Sequence, residues 1–126
     1  MGSGTAGITV TPGNTDTQIL NNNVFSSFQG IQVDVNSDRT IVQGNIVNGM
    51  VTFGIEVFGS KNVQVLANKV TNNGALGETT GAGIFLVGNI EGTAVINNVV
   101  VGNDPVNIAT NASVGAVLAG NIVTED

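Results

Sequence analysis

Gly54-Ile55-Glu56-Val57-Phe58-Gly59-Ser60-Lys61-Asn62-Val63-Gln64-Val65-Leu66-Ala67-Asn68 decides the fold, because both of its ends recur along the chain. The opening Gly-Ile-x-Val pattern is met at Gly7, Gly30, Gly54 and Gly83, and in altered form at Pro105-Val106-Asn107-Ile108. The closing Asn is met as Asn23, Asn45, Asn68, Asn98 and Asn121. Both marks return about every 23 residues, and both are interrupted once, between Asn68 and Gly83. A period of this length predicts a solenoid, in which each repeat buries its apolar face only by stacking on its neighbours.

Alternation within the repeat predicts which side chains face inward. The second and fourth residues of Gly-Ile-x-Val are apolar, so period two sends them to the core and the x residue outward. Counted from the Asn, position −3 holds Leu20, Val42, Val65, Val95 and Leu118. Position +2 holds Phe25, Val47, Val70, Val100 and Val123. These read as two more inward columns. The repeated Asn reads as an internal ladder at a bend, its amide bonding neighbours and turn backbone.

Composition agrees and excludes several chemistries. The chain of 126 residues is 41% hydrophobic, 4% aromatic and 10% charged, with 18 Gly. Val and Ile favour pleated surfaces, and no stretch reads as an amphipathic helix or a bilayer span. The net charge is −6, with only Arg39, Lys61 and Lys69 positive. Nucleic acid and anionic membrane are therefore not expected partners. Cys and His are both absent, which removes disulfides, thiolates, the usual general base and the commonest transition-metal ligands.

The Gly54–Asn68 phrase, and Gly30-Ile-Gln-Val-Asp-Val-Asn-Ser-Asp-Arg-Thr-Ile-Val-Gln-Gly-Asn45, resemble right-handed parallel β-helix repeats of the pectin-lyase-like superfamily. The resemblance runs from Gly7 to Val123. It implies an all-β, single-stranded right-handed parallel β-helix of about five coils over residues 7–126. Residues 1–6 read as a lead-in, and an insertion loop is expected near 71–80. The superfamily includes pectate lyases, polygalacturonases, alginate epimerases, phage tailspikes and non-catalytic shafts. Pectate-lyase-like chemistry would need a basic residue beside calcium-loaded carboxylates. Polygalacturonase-like chemistry would bring three acids and a His.

The outward residues carry whatever function the repeat allows. The x column reads Thr9, Gln32, Glu56, Phe85 and Asn107, and two residues on it reads Thr11, Asp34, Phe58, Val87 and Ala109. Asp34 and Glu56 are the candidate catalytic pair, with backbones expected roughly 8 Å apart from strand rise and spacing. That suits the paired carboxyls of an inverting glycosidase. Gln32, Phe58, Phe85 and Glu78 of the insertion are candidate binding residues. Asp34, Asn36 and Asp38 open like a calcium loop, but Arg39 stands where Gly belongs and Asn45 where Glu belongs. No cofactor is therefore expected, with Ca²⁺ the weak alternative. In the bend, Asp16, Asp38, Lys61 and Glu91 are expected to stack, with Lys61 between two acids.

Two functions follow. The first is a non-catalytic structural or recognition module of a secreted, surface or phage protein that meets polysaccharide. The alternative is a fragment or minimal member of a polysaccharide lyase, glycoside hydrolase or uronan epimerase family. Composition suggests an extracellular, cell-surface or virion location. Uncovered solenoid ends suggest a homo-oligomer or part of a longer chain.

Overall fold

The structure is a computed structural model that describes residues 6–74, 81–114 and 116–124, with the backbone alone for 112–114. Each coil contributes three strands. The first coil holds β1 (Ala6–Val10), β2 (Gln18–Leu20) and β3 (Asn23–Phe25). The second holds β4 (Gln29–Val33), β5 (Ile41–Gln43) and β6 (Ile46–Asn48). The third holds β7 (Phe53–Phe58), β8 (Gln64–Leu66) and β9 (Lys69–Thr71). The fourth holds β10 (Ala82–Asn89), β11 (Ala94–Ile96) and β12 (Val99–Val101). The fifth holds β13 (Val106–Val114), β14 (Val117–Ala119) and β15 (Ile122–Thr124). Like strands pair in parallel, giving a first sheet β1-β4-β7-β10-β13, a second β2-β5-β8-β11-β14 and a third β3-β6-β9-β12-β15.

Inward side chains stack in columns. Ile31, Ile55 and Ile84, with Val33, Val57 and Leu86, line the first sheet and are fully buried. Val42, Val65 and Val95 do the same in the second sheet, and Val47, Val70 and Val100 in the third. Each such side chain is worth about 1.5–3 kcal/mol relative to exposure. The recurring glycine is required by close approach. A Cβ on Gly30 would lie 2.3 Å from the carbonyl oxygen of Gly54 and 2.5 Å from a methyl of Val47.

The first coil departs from the expected register by one residue. Asn23 pairs with Ile46, not Asn45, so Asn22 stands in the ladder and Asn23 points to solvent. In the same way Ile19 and Val24, not Leu20 and Phe25, enter the core. Leu20 is 43% and Phe25 63% exposed. A one-residue slip exchanges the two faces of a strand, and here each position has an apolar or Asn neighbour that disguises the slip. The fifth coil departs by two residues. Ile108 pairs with Ile84 and Ala109 with Phe85, which puts Asn107 in the glycine column and Asn111 beside Val87.

The bends repeat as faithfully as the strands. Left-handed φ values recur in four columns. These are Gly13, Asn36, Gly59, Gly88; then Asp16, Arg39, Asn62, Gly92; then Asn21, Gly44, Ala67, Asn97, Gly120; and Ser26, Gly49, Asn72, Gly102. Gly, Asn and Asp tolerate this region, whereas other L-residues resist it. Ser26, Arg39 and Ala67 are the exceptions. The second column also corrects the expected charge stack. Asp16 lies in register with Arg39 and Thr15 with Asp38. Arg39 donates from Nε (2.8 Å) and Nη2 (3.0 Å) to the two oxygens of Asp16. Lys61 does lie between Asp38 and Glu91, but it is its backbone N–H that bonds Asp38 Oδ1, at 2.8 Å.

Candidate functional site

The outer face of the first sheet collects most of the candidate residues. β1, β4, β7 and β10 place Thr9, Gln32, Glu56 and Phe85 side by side, and β13 adds Ala109 in place of the expected Asn107. Gln32 Nε2 donates to Glu56 Oε1 at 3.2 Å. Glu56 is thus held between an amide on one coil and the Phe85 strand position on the next. Burial pushes its carboxyl above the usual carboxylate range, the Gln32 hydrogen bond opposes this, and the charge of Asp34 adds to it.

Phe85 stacks on Phe53, with ring centroids 4.6 Å apart and planes 11° apart. Phe53 sits at the start of β7 and was not among the expected site residues. The signal for it was the aromatic just before Gly54, visible only once that strand is extended by one residue. Phe58, 40% exposed, pairs in register with Val87. The face therefore joins one amide–carboxyl pair to a stacked aromatic pair and an apolar margin.

Asp34 lies just past the end of β4, two residues beyond Gln32. Its Oδ1 accepts from the Val35 backbone N–H at 2.8 Å, and Ser60 Oγ donates to its carbonyl at 2.6 Å. In the calcium-like trio Asn36 takes a left-handed bend conformation, and the Asp38 carboxylate accepts from the Lys61 backbone N–H. Among the described residues no three acids form a cluster that could hold a metal ion. Glu78 lies outside the described residues, as does most of the 71–80 insertion.

The Asn column is engaged internally. Asn45 donates from its backbone (2.9 Å) and Nδ2 (3.0 Å) to Asn68 Oδ1, and Asn68 donates likewise to Asn98 at 2.8 and 2.9 Å. The Nδ2 of each also caps a carbonyl, Ile19 for Asn45, Val42 for Asn68 and Val65 for Asn98. A second, unexpected ladder follows the third sheet. Met50 N–H donates to Asn73, Asn73 to Asn103, and Asn103 to Asn107. All three amide residues are buried.

A second surface was missed because Phe25 was expected inside. Asn23, Phe25, Ile46, Asn48, Lys69 and Thr71 line a shallow groove of about 410 Å³ on the outside of the third sheet. Thr71 Oγ1 and Asn72 Nδ2 both donate to Asn48 there, at 3.0 and 3.2 Å.

A family model described as a right handed beta helix region matches residues 2–100. No curated protein and no solved structure matches the chain.

Proposed function

The chain belongs to the right-handed β-helix family, and from that premise we propose that it is a non-catalytic recognition module whose first-sheet face meets polysaccharide. The observation that carries this reading is the Gln32–Glu56 pair set beside the Phe53–Phe85 stack. An amide and a carboxyl can bond sugar hydroxyls, while aromatic surface packs against the apolar C–H faces of a pyranose. A long regular face suits a repeating polymer, since neighbouring coils present related positions at about 4.8 Å steps.

The enzymatic alternative rests on Asp34 and Glu56. The surroundings of the pair favour binding over turnover. The Asp34 carboxylate is occupied by a backbone N–H, and Glu56 by an amide. Arg39, the cation nearest Asp34 in sequence, is committed to Asp16. A secreted or virion setting fits the same reading, as does a role as a shaft within a larger assembly.

The test is a binding titration against pectate, alginate and polygalacturonate oligomers, run beside an assay for unsaturated products and new reducing ends. Binding without turnover is expected, with Phe85→Ala and Gln32→Ala each weakening it about tenfold, the loss of roughly one good contact. Turnover that Glu56→Gln abolishes in a folded protein would establish the alternative. An absence of binding to any acidic or neutral glycan would leave the shaft role and sink recognition.

A further inference from the structure

We propose that the outer groove of the third sheet is a second glycan site, which takes a uronic-acid oligomer by its carboxylate. It does not rest on the first-sheet reading. The groove, of about 410 Å³, runs across β3, β6 and β9. Two outward columns line it in register. Asn23, Ile46 and Lys69 form one, and Phe25, Asn48 and Thr71 the other.

Charge selects the ligand. The chain carries a net charge of −6, yet no strand of the third sheet contains Asp or Glu. Glu56 lies on β7, and the other described carboxylates lie in the connections between strands. Lys69 is exposed in the groove, with Ile46 and Val99 as its register neighbours. Among the described residues it forms no ion pair, whereas Arg39 is held by Asp16. Lys61 lies between Asp38 and Glu91. An anion therefore reaches Lys69 past amide and apolar groups, with no like charge on that face to repel it.

The remaining groups suit a sugar that carries the anion. Thr71 Oγ1 and Asn72 Nδ2 both donate to Asn48 Oδ1. The amide is thereby oriented, its oxygen satisfied and its Nδ2 left to donate to a ligand. The Thr71 oxygen keeps lone pairs that accept from a hydroxyl. Phe25, 63% exposed, offers a ring face for sugar C–H groups. Phe25 and Lys69 are two coils and two residues apart, about 12 Å between backbones from strand spacing and rise. A single ring does not bridge that span, and a short oligomer laid across the coils does.

Calorimetric titration of the full chain at neutral pH tests this, with a galacturonate trimer and its methyl ester as probes. A Phe85→Ala background removes the stacked pair of the first-sheet face. In that background the acid is expected to bind about fivefold more tightly than the ester, the worth of one exposed ion pair. Lys69→Gln should abolish the preference, Lys69→Arg should keep it, and Phe25→Ala should weaken acid and ester alike. Lys69 is exposed, so circular dichroism should not change. The preference should also shrink as salt is raised from about 0.05 to 0.5 M. Equal binding of acid and ester, or a preference that survives Lys69→Gln, overturns the proposal. So does poly-aspartate that binds as tightly as the trimer, or self-association in sedimentation that Lys69→Gln abolishes, since either gives the groove another occupant. Binding seen in wild type and lost entirely in Phe85→Ala overturns it too, and sustains the first-sheet site. Binding untouched by Phe85→Ala and lost with Lys69→Gln does the reverse.

Discussion

Asn68 accepts two hydrogen bonds from Asn45 and donates to Asn98 and to the Val42 carbonyl, all out of contact with water. Asn68→Ala strands several buried polar groups at once, and each costs about 1–3 kcal/mol. A loss of about 3 kcal/mol or more in urea unfolding is therefore expected. Asn23, one residue out of the ladder and exposed, should change stability by less than about 0.5 kcal/mol when made Ala. Equal effects from the two would overturn the ladder register. Ala67 tests the bends. It holds φ 54° in a column otherwise filled by Asn21, Gly44, Asn97 and Gly120. The left-handed region costs an L-residue roughly 1–2 kcal/mol, and glycine returns part of that in backbone entropy. Ala67→Gly is accordingly expected to raise stability by up to about 1 kcal/mol, read as a higher denaturation midpoint at constant slope.

Strands β7 and β10 show what the alternation of the sequence can and cannot settle. Their inward residues were legible because the Gly-Ile-x-Val mark repeats: Glu56 between Ile55 and Val57 sets the parity in β7, and β10, where Phe85 and Val87 are apolar too, takes it from the repeat. The first coil was misread because Asn22-Asn23, Ile19-Leu20 and Val24-Phe25 each offer two chemically similar neighbours, so pattern alone does not choose the face. The fifth was misread because Val106 and Ile108 both suit an inward position, and only pairing with β10 decides. The Phe53–Phe85 stack depends on side-chain direction across coils, which no single repeat displays. Glu56 on β7 gives this level its test. Burial raises its carboxyl in the folded chain above the ordinary value of 4.5. The fold then binds that proton more tightly than the unfolded chain, so the stabilisation is present below about pH 4.5 and is lost as pH rises through the folded value. Glu56→Gln removes this dependence while keeping an acceptor for Gln32. The stability of wild type relative to Glu56→Gln should fall as pH is raised from 4 toward neutrality, measured by urea midpoints at about one-unit steps. A constant difference would show that Glu56 is not desolvated.

Across the whole solenoid, stability is a sum of coil terms and coil-to-coil contacts, and those contacts are unequal along the rod. The middle coils pack fully buried valines above and below, whereas Leu118 and Val123 of the fifth coil are covered on one side only. Local opening should therefore begin at that end. In hydrogen exchange on dilute protein, amides of β5, β8 and β11 are expected to exchange last, and those of β14 and β15 first, since regions with few buried contacts open at low free-energy cost. Exchange at β14 and β15 as slow as at β8, which is enclosed by β5 and β11, would show that burial between coils does not set the gradient.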